Sequence, residues 1–209
     1  MQTNFEEELR AYFAACGALL QGHFLLSSGL HSPNYAQCAL ALKNPAKAAE
    51  MAMELKARWR GQKPDLILSP AVGGLIIGHE TARAFGVDFL FTERENGAMT
   101  LRRGFGLKKG AKVIIVEDVF TTGKSTRETA ETAVKRGAAV IGAMSVINRM
   151  GGAVTLSSTN PFPTAEGTPH CGFPLVSLLK LDLTLYKPED CPLCAQKLPL
   201  VKPGSRGMK

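Results

Sequence analysis

The sequence predicts an α/β fold in which helices flank a mostly parallel central sheet and a small N-terminal hood precedes the sheet. Two observations predict it. Short, continuously apolar segments alternate with helical segments through the middle of the chain, a pattern typical of parallel strands that are covered on both faces. The length of 209 residues is enough for one domain with a core of its own and no disulfide frame.

The helices are predicted from apolar residues at helical spacing and from the residues that begin and end each segment. Asn4 can cap the first helix, and Asn44-Pro45 supplies a cap followed by proline at the first helical position of the second. Gly86 and Gly137 close the last two. The predicted helices are residues 4–20, 44–60, 73–85 and 124–136.

The predicted strands are short apolar runs between turn residues, and Val113–Val116 is the strongest of them. Residues 93–110 are polar, basic and punctuated by glycine, so we expect a long loop there, with a short hairpin as the alternative. Residues 150–172 are expected to be an irregular excursion. The other strands are predicted at 65–69, 87–91, 140–146 and 175–181, after two extended pieces at about 23–27 and 34–42.

The predicted organisation is a single domain over residues 1–187, with the hood elements at about 20–42. Residues 188–209 are a C-terminal extension that is rich in proline, cysteine and basic residues and is expected to be irregular. The N-terminus lacks the basic and apolar regions of a signal peptide, and no apolar run is long enough to span a membrane. We therefore expect a cytoplasmic protein with no membrane partner.

The formal net charge of +7 allows either a polyanionic partner or simply a basic surface. Basic residues cluster at 94–112 and from 197 onward, but they form no long run with interleaved aromatic residues, so no nucleic-acid partner is expected. Five cysteines in a chain without a signal peptide are expected to be reduced thiols. Cys16 and Cys38 lie in apolar stretches and are predicted core residues.

The segment 113–125, VIIVEDVFTTGKS, is where the sequence points most clearly to chemistry. A buried strand leads into Glu117 and Asp118, and a short turn then opens a helix whose N–H groups could hold a phosphate. Gly123 allows close approach of the backbone, and the acids could hold sugar hydroxyls. The alternative is an ordinary strand-to-helix turn whose acids cap the helix.

The same segment closely resembles the phosphoribosyl pyrophosphate (PRPP) signature of the type I phosphoribosyltransferases. Within that group the sequence resembles the orotate phosphoribosyltransferases in four places. These are GHFLLSSGLHSPNY, LILSPAVGGLIIG, Arg94 at the start of a long loop, and Arg149 in VINR. The resemblance covers residues 20–150 well.

This resemblance implies the type I phosphoribosyltransferase fold and transfer of ribose 5-phosphate from PRPP to orotate. Mg²⁺ is the implied cofactor, carried mainly by PRPP and without metal ligands from the protein. A homodimer with shared active sites is also implied. The implied PRPP-binding residues are Arg94, Glu117, Asp118, Val119, Phe120, Thr121, Thr122, Gly123, Lys124 and Ser125.

The resemblance implies further roles for residues outside that run. Ser69, Pro70 and Ala71 would shape a pyrophosphate loop, with a non-prolyl cis peptide bond there as a family expectation. Thr121 and Arg149 would contact orotate, since the arginine fork suits a planar carboxylate. The implied catalytic residues are Arg94, Arg102, Arg103 and Asp118.

Three departures from the family pattern concern cations. Ala98 and Thr100 stand where relatives often carry lysine and histidine in the mobile loop, Val72-Gly73 replaces a tyrosine–lysine pair, and Ser27 replaces a lysine. We hypothesise that Arg102 and Arg103 supply the missing charge, either from the same chain or from a neighbouring subunit. The alternative is a solvated run of charge.

Cys191 and Cys194 form one C-x-x-C pair near the C-terminus. A structural zinc site needs about four ligands, and His170 and Cys171 are the only obvious additions in the sequence. The alternative is a reduced knuckle in the tail. His23, His31 and His79 show no spacing that predicts pairing.

Two other functions remain open from the sequence. One is a regulator that keeps the PRPP fold to sense a ligand, and the other is a purine-base phosphoribosyltransferase. Glu117, Asp118 and Arg149 favour an enzyme over the regulator. Arg149 and the SSGLHSPNY segment favour orotate over a purine base.

Overall fold

A computed structural model describes residues 2–26, 29–149, 162–163, 169–170, 173–181 and 184–203. Its helices are α1 Gln2–Ala15, α2 Cys38–Leu42, α3 Pro45–Arg58, α4 Gly74–Phe85, α5 Lys124–Lys135 and α6 Pro192–Ala195, with a 3₁₀ turn at Pro188–Asp190. Its strands are β1 Leu19–Leu25, β2 His31–Ala36, β3 Leu66–Pro70, β4 Asp88–Glu95, β5 Ala98–Leu101, β6 Lys112–Phe120, β7 Ala139–Asn148, β8 Phe162–Pro163, β9 Pro169–His170 and β10 Leu175–Lys180.

The contacts divide the chain into two units. Residues 44–180 form the larger unit, and residues 1–43 together with 181–209 form the smaller one. Residues 181–187 and the C-terminal extension thus belong with the N-terminal elements. No described helix is both long enough and apolar enough to cross a membrane.

The larger unit contains a six-stranded sheet in the order β10-β7-β6-β3-β4-β5. Neighbouring strands are parallel except for β4 and β5. The central strands are mostly apolar, and Ile67, Ile114 and Ile147 are fully buried, as expected for strands covered on both faces. The predicted α/β fold with a mostly parallel sheet is confirmed.

Several predicted elements are present close to their expected bounds. Asn44 caps α3, since its Oδ1 accepts hydrogen bonds from the N–H groups of Ala46 (3.0 Å) and Lys47 (3.3 Å). Gly86 ends α4 in the left-handed conformation, with φ of 68°. The strong strand predicted at 113–116 is longer in the structure, because β6 continues through both acids to Phe120.

Two predictions near the N-terminus were wrong at their ends. The first helix stops at Ala15 and not at residue 20, because Gly17 takes a φ of 71° and the Ala18 N–H donates to the Phe13 carbonyl (2.8 Å). The extended piece predicted at 34–42 ends at Ala36, and residues 38–42 form α2 instead.

The loop predicted at 93–110 is confirmed only for residues 102–110, and the hairpin alternative is confirmed for the residues before them. Strands β4 and β5 pair in antiparallel fashion across a two-residue turn, Asn96-Gly97. Both turn residues have positive φ, 48° and 86°, which is the geometry that an Asn-Gly hairpin turn requires. The dipeptide was available in the sequence as a hairpin signal.

The smaller unit is organised around the antiparallel hairpin of β1 and β2. The C-terminal segment joins this hairpin through isolated bridges between Phe24 and Val201 and between His31 and Tyr186. The extension was expected to be irregular, but it contains a 3₁₀ turn and α6. His23 and His31, for which no pairing was predicted, lie in contact with each other and with Cys194.

Candidate active site

Most of the predicted site residues lie at or just after the carboxyl ends of the larger unit's parallel strands, whereas Arg102 and Arg103 follow the edge strand β5. Strand β6 lies between β3 and β7, and all three run parallel. Their carboxyl ends therefore share an edge, and in open α/β sheets ligands bind outside that edge. Every residue predicted for the site belongs to the described part of the chain.

Glu117 and Asp118 are half-buried near the end of β6. The Thr126 hydroxyl, in the first turn of α5, donates to the Glu117 carboxylate, and the Val119 N–H donates to Asp118 Oδ1 (2.9 Å). Burial raises the pKa of Glu117 to about 7, with the neighbouring Asp118 charge adding to the effect and the Thr126 bond opposing it. Burial also raises the pKa of Asp118, opposed by its backbone hydrogen bonds.

The turn between β6 and α5 has the form of an anion-binding loop. Gly123 is buried and has φ of 69°, a conformation that glycine adopts without strain. Helical hydrogen bonding begins with the Arg127 N–H and the Gly123 carbonyl (2.9 Å), so the N–H groups of the first helical turn precede it. The side chains of Thr121, Thr122 and Lys124 are exposed around this turn, which leaves hydroxyl and ammonium donors available to a phosphate.

The segment after β3 passes beside Asp118. The peptide bond between Ala71 and Val72 is cis, which agrees with the expectation for the pyrophosphate loop. The Ala71 N–H donates to the Thr92 carbonyl (2.8 Å). A methyl group added at Gly73 would lie 2.6 Å from Asp118 Oδ1, so Gly73 leaves the space that the Asp118 carboxylate occupies.

We expect Gly73→Ala to lower kcat/KM by about tenfold or more, because the new methyl group displaces Asp118. The backbone at Gly73 has φ of −56°, which alanine tolerates. The fold should therefore persist, which a thermal melt checks. Gly106→Ala is the matched control, since an added methyl group there meets nothing within 4 Å. Equal turnover by both variants would contradict the assigned role of Gly73.

Arg149 directly follows β7. Its backbone N–H donates to the Phe120 carbonyl (2.9 Å), and Phe120 pairs with Asn148 in the sheet register. Arg149 therefore follows the end of β7 where Thr121 follows the end of β6, and the two residues predicted to contact orotate come from adjacent strand ends.

The three arginines predicted to be catalytic each pair with an acid. Arg94 Nη2 lies 2.5 Å from Glu128 Oε2 on α5, Arg102 Nε lies 3.4 Å from Glu95 Oε1, and Arg103 forms two 2.8 Å hydrogen bonds to Glu93. Arg103 also lies over the Phe91 ring, 5.7 Å from its centroid. The hydrogen bond from Arg103 lowers the pKa of Glu93. Arg102 and Arg103 are thus paired with acids of β4, and Arg94 with an acid of α5.

Two positioning residues were missed from the sequence. Thr126 belongs to the same strand–turn–helix segment as Glu117, nine residues further on, and the Thr side chain in the first helical turn was the available signal. For Gly73, the sequence analysis notes only that it stands in place of a lysine of some relatives, and it predicts no role for the glycine itself. Its role depends on how closely the β3 and β6 segments approach, which no local pattern contains.

The parallel sheet, paired acids and glycine turn at a helix N-terminus define a type I phosphoribosyltransferase. A family model described as "Phosphoribosyl transferase domain" matches residues 41–159, which is more than half of the chain. The fold class and the site agree with that match.

Proteins similar in sequence and structure narrow the assignment from phosphoribosyltransferases in general to one family. An orotate phosphoribosyltransferase of Pelotomaculum thermopropionicum is 46% identical over 200 residues, covering 96% of this chain and 97% of the relative. One of Thermotoga maritima is 46% identical over 193 residues, covering 92% and 95%. The crystal structure of the Aeropyrum pernix orotate phosphoribosyltransferase superposes with a TM-score of 0.62 at 26% identity, covering 83% of this chain and 93% of that one. The chain belongs to the orotate phosphoribosyltransferase family.

Proposed function

We propose that this protein transfers ribose 5-phosphate from PRPP to N1 of orotate, forming orotidine 5′-monophosphate and pyrophosphate, a step in the synthesis of UMP. The observation that carries the proposal is the paired acids Glu117 and Asp118 beside a glycine turn at a helix N-terminus. It is supported by family membership over nearly the whole chain.

Each group has a place in this reaction. The turn from Phe120 to Ser125 and its helix N-terminus bind the 5-phosphate. The carboxylates of Glu117 and Asp118 accept hydrogen bonds from the ribose hydroxyls. The bond between C1 and the pyrophosphate oxygen breaks as the bond from orotate N1 forms, and N1 gives its proton to water. Positive charge therefore builds on the ribose ring and negative charge on pyrophosphate. Carboxylates near the ring and cations near the leaving group stabilise these charges.

Arg149 and Thr121 orient the base. The rigid guanidinium fork binds a carboxylate through two parallel hydrogen bonds, and the adjacent Thr121 hydroxyl supplies another polar contact. A purine base carries no carboxylate, so Arg149 favours orotate over hypoxanthine or adenine. The same intact acids and arginine distinguish an enzyme from a PRPP-sensing regulator.

Mg²⁺ is the proposed cofactor, and the donors at the site suit it. The protein groups that we place beside the sugar are the carboxylates of Glu117 and Asp118, whose hard oxygen atoms are the kind of ligand that Mg²⁺ prefers. The substrate's own phosphate and hydroxyl oxygens would be its main ligands, and its charge would neutralise the departing pyrophosphate. We also propose a cytoplasmic homodimer in which hairpin cations of one subunit reach the site of the other.

The proposal is tested by following orotate absorbance with purified protein, PRPP and Mg²⁺, with hypoxanthine and adenine assayed in parallel. We expect orotate to be consumed and pyrophosphate released in equal amounts, without turnover of either purine. Asp118→Asn, purified identically, controls for a contaminating host enzyme. PRPP binding without turnover of any base would favour the sensor function, and turnover of a purine alone would overturn the assignment to orotate.

A further inference from the structure

Four side chains of the smaller unit bring two nitrogens and two sulfurs together. His23 lies on β1 and His31 on β2, while Cys191 precedes α6 and Cys194 lies within it. Their ligand atoms all lie within 4.8 Å of one another. His23, His31 and Cys191 are buried, and Cys194 is nearer the surface.

Three sulfur–nitrogen separations are close to the edges of a metal coordination tetrahedron, and the nitrogen–nitrogen separation is somewhat shorter than such an edge. Cys191 Sγ lies 3.6 Å from His23 Nε2, and Cys194 Sγ lies 3.7 Å from His23 Nε2 and 3.3 Å from His31 Nδ1. The two nitrogens are 2.9 Å apart. A tetrahedral zinc ion with bonds of about 2.3 Å to sulfur and about 2.0 Å to nitrogen separates sulfur from nitrogen by about 3.5 Å and the two nitrogens by about 3.3 Å.

The His23 ring is held in the tautomer that a metal requires. Its Nδ1 lies 2.9 Å from the Leu198 carbonyl oxygen. A carbonyl can only accept, so Nδ1 carries the proton and Nε2 presents its lone pair toward the two thiols. A backbone carbonyl that orients the second nitrogen of a histidine ligand is the usual outer contact of a zinc site. Leu198 comes from the same C-terminal segment as the cysteines.

Backbone hydrogen bonds fix the ligands relative to one another. The N–H and carbonyl of His31 both pair with Tyr186 (2.8 and 2.9 Å), and the His23 carbonyl accepts from the Val201 N–H (2.8 Å). Each histidine is thus tied at its own residue to the segment that carries Cys191 and Cys194. The site is pre-organised by the fold and does not depend on one flexible side chain.

We infer that His23, His31, Cys191 and Cys194 form a structural Cys₂His₂ zinc site that fastens the C-terminal segment to the N-terminal hairpin. A set of two sulfur and two nitrogen donors favours zinc among the common metals. Four protein ligands leave no open position, which separates a structural from a catalytic site. The ligands predicted with the C-x-x-C pair were His170 and Cys171, whose side chains lie outside the described residues.

The smaller unit is small enough that a bound metal would contribute substantially to its stability. Its described buried apolar residues are few, among them Phe13, Phe24 and Leu42, and a chain segment of this size rarely gains enough stability from its core alone. A zinc ion whose ligands come from both ends of the chain would close a very long loop, which is where a cross-link restricts the unfolded chain most.

The test begins with elemental analysis of the full-length protein, purified under reducing conditions without a metal-affinity step. We expect about one zinc per chain, and a strong chelator should lower the melting temperature by several degrees and expose the C-terminal segment to protease. His31→Gln and Cys194→Ser should each lose the bound zinc. The matched controls are Cys16→Ser in the same unit and His79→Gln in the other, and both should keep it.

A second measurement tests the proposal even if the variants of the metal-binding residues fail to fold. In the unmodified protein, alkylation of Cys191 and Cys194 should be slow until chelator is added, whereas Cys16 should react at the same rate with and without it. Protein that holds no zinc and takes up none on titration overturns the proposal. So does chelator-independent alkylation, stoichiometric iron in place of zinc, or a Cys191–Cys194 disulfide in metal-free protein.

Discussion

Replacing Arg102 and Arg103 together by alanine is expected to lower kcat for ribosyl transfer by about two orders of magnitude or more. The lysine and histidine that relatives often carry in this region are absent, and these two arginines are the adjacent cations that follow the hairpin. Their charge would stabilise the departing pyrophosphate. Steady-state kinetics with PRPP and orotate, with Mg²⁺ saturating, measures the effect.

The double variant should remain folded, which makes activity a clean readout. The side chains of Arg102 and Arg103 are 49% and 61% exposed, and exposed ion pairs contribute little to stability. Lys108→Ala with Lys109→Ala is the matched control, because it removes the same charge from the same basic stretch outside the hairpin. Loss of activity in both double variants would point to net charge alone.

Arg102 and Arg103 must each break an ion pair before they can bind a substrate. Arg103 can reach a substrate only by leaving Glu93, and Arg102 only by leaving Glu95. The register places Arg94 opposite Met99 and Thr92 opposite Leu101, so β4 lies between these arginines and the ends of β3 and β6. A hairpin movement or a neighbouring subunit must therefore bring them to the phosphates. Near-normal turnover by the double alanine variant would contradict both routes.

The strand–turn–helix segment could be predicted because its information is local. Apolar residues 113–116, the two acids and Gly123 lie within a short stretch, and each has a physical preference that the fold satisfies. The same is true of Asn44-Pro45, which caps α3 as expected. The hairpin at Asn96-Gly97 carried an equally local signal, but the surrounding charges obscured it.

The contacts that could not be predicted join residues far apart in sequence. His23 and Cys191 are 168 positions apart, and no periodicity or spacing links them before the fold is known. The closeness of Gly73 to Asp118 depends in the same way on the packing of β3 against β6. The pKa of Glu117 depends on burial. The sequence therefore identifies Glu117 and the neighbouring Asp118 as site residues, but it does not predict that the pKa is raised.

The second large effect concerns Glu117, whose pKa burial raises to about 7. We expect Glu117→Gln to lower kcat/KM for PRPP by about two orders of magnitude, because an amide is a weaker acceptor than a carboxylate for the ribose hydroxyls and does not offset the charge on the ring. In the unmodified protein, kcat/KM should fall as pH drops below 7 and the carboxylate takes up a proton.

The glutamine variant also separates the protein's titration from that of the substrate. The phosphate groups of PRPP titrate in a similar range, with a second pKa of about 6, and this contribution persists in the variant. A pH dependence near 7 that disappears in Glu117→Gln belongs to Glu117. One that remains unchanged belongs to PRPP, and would contradict the assigned titration.

Stability should show the opposite trend with pH, which gives an independent check. The folded protein binds the Glu117 proton more tightly than the unfolded chain, whose glutamate titrates near 4.5. The free energy of unfolding should therefore fall between pH 4.5 and 7 by up to about 3 kcal/mol and then level off. Glu117→Gln should lose the part of this slope that Glu117 contributes and keep the part from Asp118, whose pKa burial also raises, whereas Glu131→Gln, a change of an exposed residue on α5, should keep the full slope. Urea unfolding across this pH range measures the difference, and identical slopes in all three proteins would show that Glu117 is already ionised throughout.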